Sequence, residues 1–316
     1  MKIVILDAYT ANPGDLSWES LDALGEVIVH ERTAPEDVIA RSAGAEIVLT
    51  NKALIPAEAI QALPDLKYIG VIATGVNVVD IAAAKEARVV VANVPGYSTD
   101  SVAQLTFALI LELASRVGDH SAAVTAGDWE NCADFSFTTS PIMELSGKQI
   151  GIIGYGAIGQ ATAKVAAALG MNVVVYNRTR EKVVDYPFAP MDEVVAESDI
   201  VSLHCPLTPE TQDLMNAERL ASMKSGAWLI NTSRGPLVDE EALAESLNNG
   251  HLGGAGLDVL CKEPMTKGNP LRTAKNCLIT PHIAWATLEA RTRLIAQVAE
   301  NIRAWQEGAA TNVVNA

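Results

Sequence analysis

Gly154-Tyr155-Gly156-Ala157-Ile158-Gly159 places three glycines at the spacing G-x-G-x-x-G. Such a hexamer alone arises by chance, but this one follows the β-branched run Gln149–Ile153 and opens a helical pattern carrying Ala163, Val165, Ala166 and Leu169. Strand, glycine turn, helix and second strand in that order form a dinucleotide cradle. Gly154 and Gly156 permit a tight turn and close approach of backbone to a pyrophosphate, while Gly159 permits close packing of helix on strand. The helix start at Ala157 and Ile158 adds N–H groups and the positive end of the helix dipole.

Farther along, three ionisable residues sit at or beyond the ends of later strand-like runs. Arg234 lies in Thr232-Ser233-Arg234-Gly235, Glu263 in the segment from Asp258 to Pro264, and His282 in Thr280-Pro281-His282-Ile283-Ala284-Trp285. Ligands of open parallel sheets bind outside the carboxyl ends of the strands, so all three point toward the cofactor crevice. Singly, each has an ordinary reading: a surface arginine, a solvated loop glutamate, a satisfied histidine in a turn.

The strand Asn172–Val175 ends in Tyr176-Asn177-Arg178-Thr179-Arg180. About 20 residues beyond the glycine turn, a carboxylate normally accepts hydrogen bonds from the adenosine ribose. Asn177 stands there instead, followed by Arg178, Arg180 and Lys182, with Glu181 partly offsetting them. This loses the anion that repels a 2′-phosphate and adds cations that bind one, which favours NADP(H) over NAD(H). The competing reading is a loop of solvated charges.

These residues need elements to hold them. Short β-branched runs alternate with helical patterns throughout, the mark of α/β architecture with parallel sheets. The first series is Ile3–Leu6, Val27–His30, Ile47–Thr50, Tyr68–Ile72 and Val89–Ala92, with helices over Pro56–Leu63 and Ile81–Glu86 between them. The second is Gln149–Gly154, Asn172–Asn177, Ile200–Cys205, Ala227–Asn231, Gly254–Asp258 and Cys277–Thr280. Two series predict two sheets. Two long helices bracket the second series, one after the N-cap run Ser98-Thr99-Asp100 and one from about Leu288 to Trp305. The last helix must cross back to the first domain, which puts the boundaries near 98 and 285. Gly127–Pro141 carries Trp129, Phe135 and Phe137 without periodicity and reads as a long loop whose aromatics serve an interface.

Composition narrows the class. The chain has 316 residues, enough for about two domains, and 49% apolar residues exclude disorder as the main theme. With 23 Lys+Arg against 38 Asp+Glu the net charge is −15, which repels nucleic acid and anionic membrane. Cys132, Cys205, Cys261 and Cys277 form no C-x-x-C pair and offer no zinc site or disulfide framework, so a reducing compartment is expected. Met1-Lys2 runs into an apolar stretch too short for a signal peptide, and no run reaches a membrane span. These features predict a cytoplasmic protein.

Taken together, the blocks match a family. From about Tyr68 to Glu300, and more loosely throughout, the sequence resembles the D-isomer-specific 2-hydroxyacid dehydrogenases. The resemblance rests on the glycine turn, Asn231-Thr232-Ser233-Arg234-Gly235, Asp258 through Glu263-Pro264, the block Thr280 to Trp285, and Ala73-Thr74-Gly75-Val76-Asn77 with Asp80. Thr50-Asn51-Lys52 and the Trp129 to Asp134-Phe135 loop are most similar to the glycerate dehydrogenase/hydroxypyruvate reductase branch. Glu263 stands where the family's formate dehydrogenases carry Gln, which argues against that activity.

The resemblance implies two doubly wound parallel-sheet α/β domains. One is a Rossmann-type cofactor domain over 99–284, the other a flavodoxin-like, discontinuous substrate domain from 1–98 and 285–316. It implies reversible reduction of a small 2-oxo acid, hydroxypyruvate or glyoxylate, to the D-2-hydroxy acid by a homodimer. Charged His282 would donate the proton and Glu263 would orient its ring. Arg234 would bind the substrate carboxylate and polarise the carbonyl. Gly75 and Val76 would offer backbone N–H groups to the same carboxylate, with Lys52 at the substrate end or simply on the surface. Cofactor contacts would come from the glycine turn, Thr74, Asn177, Arg178, Cys205, Pro206, Thr232, Ser233, Asp258 (at the nicotinamide carboxamide) and Ala284. The alternative class is a dinucleotide-sensing scaffold resembling the family's corepressor members, which keep the same triad. A methyltransferase also uses a glycine-rich turn but does not need Arg234, Glu263 and His282 in that order.

Overall fold

β-branched and aliphatic runs buried along their whole length need a sheet covered on both faces, and parallel sheets supply that. The computed structural model describes residues 1–182 and 185–316. The chain divides into two units, Met1–Ser98 with Ala286–Ala316, and Thr99–Trp285, so that Trp285 falls with the second.

The first unit holds a five-stranded sheet of β1 (Lys2–Ile5), β2 (Glu26–Val29), β3 (Ile47–Thr50), β4 (Tyr68–Val71) and β5 (Val90–Ala92). The strands are all parallel in the order β2-β1-β3-β4-β5. Every residue of β3 and β4 is buried, whereas the edge strand β2 is not. Short helices α1 (Glu19–Asp22), α2 (Val38–Ser42), α3 (Ala57–Gln61) and α4 (Ile81–Glu86) return the chain between strands. Asp80 starts α4 by accepting from Ala83 N at 2.9 Å. The C-terminal helix Leu288–Gln306, capped by Thr287, buries Leu294, Ile295, Val298 and Ile302 in this unit. Its Trp305 ring lies 5.1 Å from that of Tyr68, centroid to centroid.

The second unit holds β6 (Gln149–Ile153), β7 (Asn172–Tyr176), β8 (Ile200–Leu203), β9 (Trp228–Asn231), β10 (Gly254–Leu257) and β11 (Cys277–Ile279). They are parallel in the order β11-β10-β9-β8-β6-β7. Phe188 forms a parallel bridge with Val175 on the free side of β7, standing where a third strand completes a Rossmann half. The strand order reverses between β6 and β8, the switch point at which such sheets bind ligands. Helices α5 (Thr99–Ser115), α6 (Val117–Thr125), α7 (Ala157–Ala168), α8 (Met191–Glu197), α9 (Ala217–Ser222) and α10 (Glu240–Asn248) complete the unit. α5 lies close on the sheet because Gly256 has no Cβ, which would come within 2.9 Å of Leu109 Cβ.

Sequence reading missed α6. It starts after Arg116, whose φ of 51° breaks α5, and it buries no residue, so it carries no apolar stripe to read. Among the described residues, no single helix is long and apolar enough to cross a membrane. α5 and α6 pass that test only as a pair bent by 57°, and much of α5 is buried inside the unit. The segment 126–141 is a run of turns and bends, with Trp129 exposed and Phe135 91% exposed.

Candidate active site

Each glycine of the turn after β6 answers a different constraint. Gly154 has φ +99°, and an added Cβ would lie 2.6 Å from His204 O and 2.7 Å from Cys205 N. At Gly159 it would lie 2.1 Å from Gly154 O, so α7 packs directly on the turn. At Gly156 it would meet nothing within 4 Å, and this residue caps α7 without a side-chain acceptor. The amides of Ala157 and Ile158, in the first turn, have no intrahelical acceptor. Open space over Gly156 and unpaired amides beside it fit a pyrophosphate.

Asn177 braces this turn. Its Oδ1 accepts from Tyr155 N at 3.1 Å and its Nδ2 donates to Thr179 O at 2.7 Å. Arg178 is exposed, and its charge helps hold the Glu210 carboxyl below the ordinary range, after that group's hydrogen bonds to Thr208 and its own backbone. Arg180 lies 5.3 Å over the Phe188 ring, while the Lys182 side chain lies outside the described residues.

Thr232, Ser233 and Ala284 are engaged within the unit. The Thr232 hydroxyl is 3.0 Å from that of Thr106, and Ser233 Oγ donates to Leu203 O at 2.7 Å. Ala284 N donates to Asp258 and Ala284 O accepts from Ser101 Oγ. Pro206 is exposed, and burial pushes the Cys205 thiol up to about 11, keeping it neutral.

Asp258, expected at the nicotinamide, is 1% exposed, and its carboxylate accepts three hydrogen bonds within the unit. Oδ1 accepts from Thr280 Oγ1 at 2.6 Å and Ile283 N at 2.8 Å, and Oδ2 accepts from Ala284 N at 2.8 Å. Burial raises this carboxyl despite those bonds. Asp258 O also accepts from His282 N at 2.8 Å. The whole residue thus clamps the turn in which His282 takes φ +56°, a left-handed conformation uncommon outside glycine.

His282 and Glu263 come together. His282 Nδ1 and Glu263 Oε2 are 2.6 Å apart, and Glu263 Oε1 accepts from Leu260 N at 3.0 Å. The ring is thereby fixed with Nε2 outward, and Nε2 has no hydrogen-bond partner among the described residues. Arg234 donates through Nη1 to Ser233 O at 2.7 Å. It pairs with no carboxylate among the described residues, in a chain with 38 acidic and 23 basic residues. A half-buried arginine left unpaired in such surroundings is available to an external anion. The Arg234 and Glu263 loops touch at Gly235, where an added Cβ would lie 1.9 Å from Leu260 C.

In the first unit, the residues expected at the substrate lie beyond β3 and β4. The amides of Gly75 and Val76 have no protein acceptor among the described residues. Thr74 is held by its hydroxyl donating to Val94 O at 3.0 Å and by its carbonyl accepting from Asn93 Nδ2 at 2.6 Å. Lys52 is exposed.

His204, not singled out from the sequence, has Nε2 2.9 Å from Ser202 Oγ and a buried Nδ1 without a partner among the described residues. Burial pushes its pKa down from 6.5 to about 4. Between those values the unfolded chain binds the proton that the folded chain refuses, so stability falls as pH drops through this window, by up to about 3 kcal/mol. Denaturant melts of wild type and His204→Gln at pH 7 and pH 5 check this. Wild type is expected to lose more stability on acidification, and equal losses would exclude His204 as the cause.

Comparison with known proteins agrees with the geometry. The profile of the NAD-binding domain of D-isomer-specific 2-hydroxyacid dehydrogenases matches residues 107–284. The chain is 48% identical to a hydroxypyruvate reductase of Blautia hydrogenotrophica, covering 100% of both chains. It is 41% identical to a glycerate dehydrogenase of Methylorubrum extorquens, over 95% of this chain and 98% of that one. A solved acyclic imino acid reductase in complex with NADPH superposes with a TM-score of 0.89 at 31% identity, covering 99% of this chain and 100% of that one. The chain therefore belongs to the D-isomer-specific 2-hydroxyacid dehydrogenase family, on its glycerate dehydrogenase and hydroxypyruvate reductase branch, and is an oxidoreductase that uses a nicotinamide dinucleotide.

Proposed function

We propose that the protein reduces hydroxypyruvate or glyoxylate reversibly to the D-2-hydroxy acid, with NADPH favoured over NADH. The observation that carries the chemistry is the His282–Glu263 pair at 2.6 Å with Nε2 left outward. Bound nicotinamide supplies the hydride. His282 Nε2 gives its proton to the carbonyl oxygen as charge develops there, and Glu263 keeps the ring oriented. Arg234 holds the substrate carboxylate and polarises the carbonyl, with a planar fork that lysine lacks. The unpaired amides of Gly75 and Val76 take the same carboxylate, and Lys52 adds positive charge at the substrate end. The clamp that Asp258 places on the His282 turn keeps the proton donor in register.

The substrate reading leans on the two relatives named for hydroxypyruvate and glycerate. A steady-state panel of hydroxypyruvate, glyoxylate, pyruvate and bulky 2-oxo acids, each with NADH and NADPH, tests it. One of the first two is expected to give the highest kcat/KM, and preference for a branched or aromatic acid refutes the assignment. Turnover of any 2-oxo acid at dehydrogenase rates also removes the scaffold alternative, which the comparisons do not favour.

NADPH preference rests on Arg178. The guanidinium is exposed beside the end of β7, and Asn177 presents no anion to a 2′-phosphate. A charge-assisted contact there is worth roughly 1.5–3 kcal/mol, about tenfold to a hundredfold in affinity. Glu210 opposes it. Arg178→Ala should weaken NADPH far more than NADH in paired Kd measurements. An equal change in both means that Arg178 does not read the phosphate. The assembly fitting the exposed Trp129 and Phe135 is a homodimer, and four free thiols suit a reducing cytoplasm.

A further inference from the structure

We infer that Asp7 is a positioning residue for the substrate end of the site, because its carboxylate gathers three consecutive amides of the loop that carries Lys52. The inference rests on the reading of Lys52 as a substrate residue.

Asp7 leaves the carboxyl end of β1, next to β3 in the sheet. Its Oδ1 accepts from Asn51 N at 2.8 Å, and its Oδ2 accepts from Lys52 N at 2.5 Å and Ala53 N at 2.8 Å. Three amides of one turn converging on one anion form a nest, so the backbone on both sides of Lys52 is fixed by a side chain from another strand. Thr50 Oγ1 donates to Ala53 O at 2.6 Å and closes the turn from within.

This loop is also tied to the one bearing Gly75 and Val76. β3 and β4 pair in register up to Thr50 and Val71, so the two loops leave adjacent strand ends. Asn51, 2% exposed, donates through Nδ2 to Ile72 O at 2.6 Å. Beyond it, Ile55 N donates to Val78 O at 2.8 Å, and Asp80 N to Ile55 O at 3.0 Å. The Lys52 backbone and the loop of Gly75 and Val76 therefore belong to one laced edge, and the Asp7 carboxylate gathers the amides of the Lys52 turn. Burial raises the Asp7 carboxyl, while the amides of Asn51, Lys52 and Ala53 work against that shift.

Without Asp7 the turn loses the common acceptor of three amides, and the ammonium at its tip loses its fixed origin. The loss should fall on substrate binding and not on the proton donor or the cofactor, whose residues lie on other loops. The experiment is a double-mutant cycle of Asp7→Asn and Lys52→Met, reading KM and kcat for hydroxypyruvate at saturating NADPH, cofactor Kd and Tm. Asp7→Asn is expected to raise KM by about tenfold to a hundredfold, with kcat and cofactor Kd within about twofold of wild type. Lys52→Met should raise KM comparably, and the double variant should be no worse than the poorer single one, because the two act as a unit. A raised KM in Lys52→Met with a wild-type KM in Asp7→Asn overturns the positioning role alone. A wild-type KM in Lys52→Met overturns the Lys52 reading and this inference with it. Multiplying KM effects, or a fall in kcat and cofactor affinity at constant KM, also overturns it. Asp7→Glu, which keeps both acceptors one methylene farther out, is the second variant should Asp7→Asn fail to fold, and it should give an intermediate KM.

Discussion

His282→Ala lowers kcat by about 10²–10⁴-fold, the usual worth of a positioned general acid, while cofactor Kd stays within about twofold of wild type. The ring gives up Nδ1 to Glu263 at 2.6 Å and presents Nε2 outward, so it has the geometry of a donor and not of a packing residue. The backbone reinforces the argument. His282 sits at φ +56°, held by Asp258 O from its own amide and by the Asp258 carboxylate from the next two. Those bonds survive truncation of the side chain, so the variant should melt close to wild type. kcat in a chemistry-limited assay, read beside Tm, checks the prediction. A variant that retains more than about a third of wild-type kcat removes His282 from the proton-transfer step.

The second large effect is expected at a residue without a side chain. Gly235→Ala should cut kcat/KM by about 100-fold or more, since displacing catalytic groups by about 1 Å costs that much. The added Cβ would lie 1.9 Å from Leu260 C and 2.0 Å from Leu260 O, backbone atoms that cannot rotate away. Leu260 N is the group that steadies Glu263, and Arg234 precedes Gly235, so one methyl group disturbs both sides of the proposed substrate site. Overpacking of this kind also costs about 1–3 kcal/mol of stability. Kinetics at a temperature well below the variant's Tm separate the two effects. A folded Gly235→Ala protein with wild-type kcat/KM shows that the loops are not coupled there.

Legibility from the sequence followed the range of the interactions. The glycine turn was plain because its signals are local: Gly154 is required by a positive φ and Gly159 by close packing, while Gly156 faces open space. β3, β4 and most other strands were plain because burial on both faces demands continuous apolar runs. Their ends ran one residue long at Gly154, Asn177, Asp258 and Thr280, and two long at His204-Cys205, where the chain leaves the sheet. Glu263 and His282, 19 positions apart, carry no local pattern that pairs them, and only the family resemblance did so. The destination of an amide or carboxylate side chain was not legible. Asn177 bracing Tyr155 N and Asp7 reaching residues 44 to 46 positions away depend on strand neighbours that no periodicity specifies.

The first unit also has a schedule, set by the order of synthesis. Tyr68 lies against Trp305, Asn93 O accepts from Asn301 Nδ2, and Ala92 bridges to Val313. At ~5–20 residues/s, the roughly 200 residues between Asn93 and Asn301 take about 10–40 s to translate. During that interval β4 and β5 have left the ribosome without the helix that covers them, while the whole second unit emerges and can close. At that stage the first unit's sheet still lacks the C-terminal segment that packs on it, so its apolar face is open to water until translation ends.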